Sequence, residues 1–159
     1  YFLPGRILRK NLRLAAKRGV RIKIILTRIS DVSLAKAAER FFYPWLLRHN
    51  IEIYEYRKKV LHGKMATYDR QWVTVGSYNF NNISTYASVE LNLDVLSQPF
   101  AKQVDNEFEE IIRRDCDPIT AESFTKETSI IDTFKHRMAY ETVRLIFFLF
   151  TFYFKKEKT

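Results

Sequence analysis

The stretch from His62 to Glu90, H-G-K-M-A-T-Y-D-R-Q-W-V-T-V-G-S-Y-N-F-N-N-I-S-T-Y-A-S-V-E, holds an unusual density of side chains able to do chemistry. His62 and Lys64 stand two apart, and if K-M-A-T-Y runs as a strand they share a face. An imidazole that exchanges protons near neutral pH, beside a compact ammonium with three donors, points to phosphoryl chemistry. Asp69 falls beyond that strand, where a carboxylate braces a turn rather than attacks. W-V-T-V predicts a second strand ending in Gly76-Ser77-Tyr78-Asn79. Glycine permits a tight backbone there, and the Ser77 and Asn79 side chains can donate to an anionic oxygen. Glu90, inside the alternating S-V-E-L-N-L-D-V run, is placed to hold His62 in one tautomer, as a carboxylate does in hydrolase triads. Singly, Gly76, Asn79 and Asn82 read as turn formers and Lys64 as a solvated charge. Their joint spacing is what asks for a site. His49 and His136 have no such company and read as ordinary residues.

His62-x-Lys64-x4-Asp69 followed by Gly76-Ser77-x-Asn79 resembles the HKD signature of the phospholipase D superfamily. Tyr1-Phe2-Leu3-Pro4, G-V-R-I-K-I-I-L, Ser84, Glu90 and Asn92 extend the likeness to the second half of a bacterial cardiolipin synthase, over roughly residues 1–115. Two positions depart from that pattern: Ile83, where the relatives commonly carry arginine, and Ser88, where they commonly carry asparagine. The resemblance implies an α/β fold, a phospholipase D-like mixed β-sheet flanked by helices, present as one HKD half-domain. It implies transfer of a phosphatidyl group between phosphatidylglycerol molecules through a phosphohistidine. His62, Lys64, Asp69 and Glu90 would form the catalytic set, with Asp69 structural, and Lys64, Ser77 and Asn79 would meet the phosphate. No metal or cofactor is implied. The family mechanism uses two facing motifs and this sequence carries one, so a second HKD half, in the same chain or from a homodimer mate, is the expected partner. The other is anionic phospholipid at the cytoplasmic face of a bacterial cell membrane. Rival readings stand beside this: a phospholipase D-type phosphodiesterase or a dimeric single-motif nuclease acting on nucleic acid, and a non-catalytic lipid-binding half.

The elements that must position these residues follow from composition and periodicity. With 159 residues, 47% apolar and 15% aromatic, the chain can bury a core of its own, and four glycines and four prolines argue against a long disordered linker. A formal charge of +9 favours polyanionic partners, anionic lipid or nucleic acid, without choosing between them. The lone Cys116 excludes an internal disulfide and fits a reducing compartment.

In chain order, the opening Y-F-L-P suggests a piece of a longer protein. R-I-L-R-K-N-L-R-L-A-A-K-R predicts a helix with Ile7, Leu8, Leu12 and Ala15 or Ala16 on one face, a solvated basic face opposite, and Gly19 as its cap. V-R-I-K-I-I-L predicts a strand, and residues 33–49 a helix kinked or split at Pro44, with Phe41 to Trp45 in the core. I-E-I-Y-E-Y and V-E-L-N-L-D-V predict further strands, and Pro99 opens a helix carrying Phe100, Val104, Phe108, Ile111 and Ile112 as its apolar stripe. A boundary is expected near Asp115, followed by a polar loop or short helix. The closing extension, 116–159, carries an apolar run from Leu145 to Phe154 that is too short to span a bilayer. It reads as a helix lying in the membrane interface or docked on a partner half.

Overall fold

The alternation in I-E-I-Y-E-Y turns Ile53 and Glu55 to one buried face of strand β2 (Glu52–Tyr56). Parallel to it runs β1 (Lys23–Thr27), and the crossover between them is made of two helices, α2 (Ser33–Arg40) and α3 (Tyr43–Arg48). The computed structural model describes residues 2–81, 84 and 88–156, with the backbone alone at 150–156. Tyr1, Asn82, Ile83 and the last three residues lie outside the described residues, as do the side chains at the end of the Leu145–Phe154 run.

The expected kinked helix is two helices. Pro44 sits in the first turn of α3, where its missing N–H leaves no hydrogen bond unmade. Phe42, Tyr43, Leu46, Ile51 and Ile53 are almost wholly buried and form the centre of the larger core. Helix α1 (Arg6–Lys17) lays Leu8 and Leu12 on that core, whereas Ile7, expected beside them, is 72% exposed, one residue around the helix from the packed face. Gly19 ends α1 at φ +87°, donating to the Ala16 carbonyl at 3.0 Å while Val20 N–H reaches Ala15 O at 3.1 Å.

The α/β fold expected is present, and among the described residues its strands form two three-stranded sheets flanked by helices, the first of them mixed. In the first, β2 is central, parallel to β1 and antiparallel to β6 (Cys116–Ile119). The second is antiparallel throughout: β3 (Met65–Tyr68), β4 (Trp72–Gly76) and β5 (Asn92–Leu96). The polar R-K-K segment after β2 carries the chain from one sheet to the other. Helix α4 (Gln98–Asp115), capped by the Ser97 hydroxyl, packs on strands of both, and Ala101, Val104 and Phe108 cover the buried Val73 of β4.

The segment after Asp115, expected as a loop or short helix, begins with β6, which is hydrogen-bonded to β2 from Tyr56↔Cys116 to Ile53↔Ile119. Its charges hid it: Asp117 is paired with Arg28 and Arg57, and Pro118 is tolerated because the strand is at an edge. Helix α5 (Ala121–Glu127) starts with a Thr120–Ser123 capping box and buries Phe124. Helix α6 (Ile130–Lys156) packs on α2, burying Ala139 and Val143 and stacking Tyr140 on Phe41 with ring centres 4.6 Å apart. The residues beyond Asp115 therefore contribute a strand and the buried side chains Ile119, Phe124, Ala139 and Val143 to the same core as α1–β2.

Candidate active site

An antiparallel order β3–β4–β5 brings the start of β3, the end of β4 and the start of β5 to one end of the sheet. That is the geometric reason His62 and Lys64, Gly76 to Asn79, and Glu90 to Asn92 meet although they are spread over 31 residues. The β3–β4 ladder continues one step past Met65: Gly76 N–H donates to Lys64 O at 3.0 Å. Across the other edge, Gly76 pairs with Asn92, and Ser77 N–H donates to Leu91 O at 3.0 Å. A Cβ added to Gly76 would lie 2.2 Å from both Asn92 Oδ1 and Leu91 O, so no other residue fits there without moving β5.

His62 is exposed and Lys64 half-buried. The Lys64 ammonium donates to His62 O at 2.9 Å and to His62 Nδ1 at 3.2 Å. In this arrangement Nδ1 accepts, which assigns the imidazole proton to Nε2. The approach to His62 is held by Leu61 N–H, which donates to Thr27 Oγ1 at 3.2 Å.

Glu90 does something different from what its spacing suggested. It lies just before β5 rather than inside a strand, and the Ser77 and Ser84 hydroxyls donate to its carboxylate. Those two hydrogen bonds, Ser77 first, with the Lys64 charge adding, hold its carboxyl below the usual range. Glu90 thus anchors Ser77 and Ser84 instead of gripping the His62 ring. Ser77 is committed in the same way: besides Glu90, its oxygen accepts from Leu91 N–H at 3.0 Å. Ser84, 7% exposed, accepts from Asn79 N–H at 3.2 Å and donates its own N–H to Asn81 Oδ1 at 2.9 Å. These bonds place Asn79 half-buried at the rim, its side-chain amide making no hydrogen bond among the described residues. Asn92 completes the scaffold, accepting from Tyr78 N–H and donating to Thr74 Oγ1, both at 3.2 Å.

Asp69 is not brought to this end. With Arg70 it forms the tip of the β3–β4 hairpin, at φ +47° and +55°, and Gln71 N–H closes the turn on Tyr68 O at 3.0 Å. Roughly 16 Å of strand, at about 3.3 Å per residue, separate it from Lys64. Aspartate suits the left-handed position, and the hairpin is fastened to α4 through Thr67 and Arg70, both bonded to Asp105. Among the described residues no group of three His, Cys, Asp or Glu side chains converges to hold a metal.

A second cluster escaped the sequence reading. Lys36 Nζ, buried under the β1–β2 sheet, donates to Glu39 Oε1 and Tyr43 OH and pairs with Glu55 Oε1, each at 2.9 Å, and also donates to Thr27 O. Tyr43 OH donates to Glu55 at 2.8 Å, and Phe2 N–H to Glu39 Oε2 at 3.1 Å. Burial, then the two carboxylates, push the Tyr43 phenol well above its ordinary range. The signal was present: Glu55 continues the inward series Ile51, Ile53, and Lys36 and Glu39 share one face of α2, with Tyr43 at the start of α3 following at helical spacing.

The family described as cardiolipin synthase, phospholipase D-like domain, matches residues 1–112. Cardiolipin synthase B of Salmonella typhi is 35% identical over 128 residues, 80% of this chain and 31% of that protein. The Escherichia coli K12 cardiolipin synthase B is 34% identical over the same shares. A probable cardiolipin synthase of Bacillus subtilis is 30% identical over 110 residues, 69% of this chain and 22% of that one. The chain thus spans under a third of the length of these curated relatives. In fold it is similar to the crystal structure of the phospholipase D family member Nuc of Salmonella typhimurium, with TM-score 0.60, 18% identity, and coverage of 76% of this chain and 78% of that one.

Proposed function

The chain belongs to the family of cardiolipin synthase, phospholipase D-like domains, and from that premise we propose that it is one motif-bearing half of a phosphatidyltransferase of cardiolipin synthase type. It moves a phosphatidyl group between phosphatidylglycerol molecules through a phosphohistidine. The observation that carries this reading is the Lys64 ammonium beside His62 Nδ1 at the open end of an ordered hairpin. A phosphodiester arriving there competes for the ammonium, because a charge-assisted bond to an anionic oxygen is about twice as strong as a neutral one. Lys64 then turns to the phosphoryl group and His62 is released to take part.

In the two-motif reaction one histidine attacks phosphorus, and the departing glycerol takes a proton from the other. That second histidine next accepts the proton of an incoming phosphatidylglycerol hydroxyl, whose oxygen attacks phosphorus and frees the first. His62 fills one of these two places. Lys64 and the Asn79 amide meet the phosphoryl oxygens as charge builds on them, while Ser77, Glu90 and Asp69 keep the hairpin and its loop in shape.

The facing histidine comes from a second HKD half, in the same chain or from a homodimer mate. The exposed Val89, Leu91 and Leu93, on and before edge strand β5, support such a neighbour. Among the described residues no helix is long and apolar enough to cross a membrane. The outer stripe of α6, with Ile131, Phe134, Met138, Leu145 and Leu149 exposed opposite its packed face and Lys135 and Arg137 beside it, suits the surface of an anionic bilayer at its cytoplasmic face. The test is the native-length gene product given labelled phosphatidylglycerol in mixed micelles. Cardiolipin plus glycerol is the expected product. Phosphatidic acid would replace transfer by hydrolysis, and cleavage of nucleic acid with no lipid product would overturn the assignment.

A further inference from the structure

Away from the His62 end, helices α1, α2, α3, α5 and α6 line a half-open cavity of about 270 Å³, near the small end of the roughly 300–1,000 Å³ range of ligand sites. Its walls are largely aromatic, Phe42 and Trp45 among them, and its polar groups are three guanidiniums, Arg9, Arg40 and Arg48, with His136 and Thr133. That combination does not follow from packing alone. Arg9 and Arg48 are in no ion pair among the described residues, and Arg9 lies over the Phe42 ring at 5.4 Å. The Nε atoms of both Arg9 and Arg40 are buried without a hydrogen-bond acceptor, a state that costs free energy and is uncommon in folded proteins. Arg40 does have carboxylates nearby, Glu55 at 3.6 Å and Glu127 at 3.8 Å, but Glu55 is already shared with Lys36 and Tyr43. Burial, and after it the Arg40 charge, hold the His136 imidazole below its ordinary range, in keeping with a cavity of positive potential.

We infer that this cavity is a second anion-binding site, in which Arg9 and Arg40 hold a phosphate-type oxyanion, Arg48 guides it at the mouth, and the aromatic walls take an apolar group attached to it. Guanidinium forks match the oxygens of phosphate, and their stacking on aromatic rings pre-sets them for it. The site is separate from the His62 hairpin and stands whether or not that hairpin turns over lipid. The same chemistry occurs in a lipid phosphate and in free phosphate, and the size of the cavity admits a headgroup with a short apolar portion rather than two acyl chains.

Trp45 lines the cavity, and the other tryptophan, Trp72, is in the other sheet, so Trp72→Phe leaves a reporter at the site. The experiment titrates that protein with hexyl phosphate and, separately, with inorganic phosphate, following Trp45 fluorescence. A saturable change is expected, weakened at least tenfold by Arg9→Gln and several-fold by Arg48→Gln, and unaltered by His62→Asn. Tighter binding of hexyl phosphate assigns the lipid phosphate; equal binding assigns the free ion and removes the role given to the aromatic walls. No saturable change with either, or one untouched by Arg48→Gln and Arg9→Gln, overturns the proposal. Arg48 is exposed, so its variant reports on binding even if Arg9→Gln disturbs the α1 packing.

Discussion

Under the β1–β2 sheet, Lys36, Glu39 and Glu55 are buried, and opposite charges there stand 2.9 Å apart. At the end of the β3–β5 sheet, His62 faces solvent and the hydrogen bonds of Lys64 go to an imidazole and a carbonyl, weaker partners than an anion. Both clusters combine a lysine with residues of the opposite or titratable kind. The first has no bonding capacity left and holds the fold, whereas the second keeps a cation and a ring nitrogen available to an incoming group. Thr27 touches both, its carbonyl accepting from Lys36 and its hydroxyl from Leu61 N–H, so the closed cluster also fixes where the open one begins.

The largest test of the contrast is Lys36→Met. It leaves Glu39 buried without its cation and Glu55 with only the more distant Arg40 at 3.6 Å, and breaking such a pair typically costs about 3–5 kcal/mol. Urea unfolding should show that loss. Next is Gly76→Ala, whose new methyl overlaps Asn92 and Leu91. A loss of about 1–3 kcal/mol in the same assay should come with collapse of turnover, because this variant breaks the scaffold of the open end itself.

Acid titration probes the junction of α4 and β6, which joins the two sheets. The Asp115 carboxyl is held down to about 2, first by its hydrogen bond from Arg114 and then by Lys58. A depressed carboxyl stabilises the fold above its unfolded value, ~3.9, and that contribution disappears as pH falls toward 2. Wild type should therefore lose stability through this window faster than Asp115→Asn, as read by thermal unfolding at successive pH values. The smallest effect on stability is expected from Glu90→Gln. Its carboxyl is also held low, so the bonds from Ser77 and Ser84 persist above the unfolded value and weaken as pH falls through the folded one. The variant should lower turnover while the His62 tautomer, read from its ring nitrogen NMR shifts, stays as in wild type. A changed tautomer would return Glu90 to the role its spacing suggested.

Much of this was legible because strand alternation and turn residues act locally. W-V-T-V-G and I-E-I-Y-E-Y fall where the strands are, Gly19 caps α1 at positive φ, and most of the residues of the HKD spacing meet at one end of the β3–β5 sheet. What stayed hidden depends on contacts distant in sequence. Nothing local says that Glu90 faces Ser77 and Ser84 rather than His62, since three residues compete for one carboxylate. Nor does D-C-D-P-I look like a strand until Arg28, Arg57 and Lys58 are brought to its aspartates. Asp69 was readable as a turn former, and its place at the far tip of the hairpin follows from strand length alone.

The most direct measurement is His62→Asn in the native-length protein, with lipid products and urea unfolding followed in parallel. His62 is exposed and contributes little packing, so unfolding should shift by no more than about 0.5 kcal/mol while cardiolipin formation is abolished. Cardiolipin formed at near the wild-type rate by a stably folded His62→Asn protein would remove this end of the sheet from the chemistry.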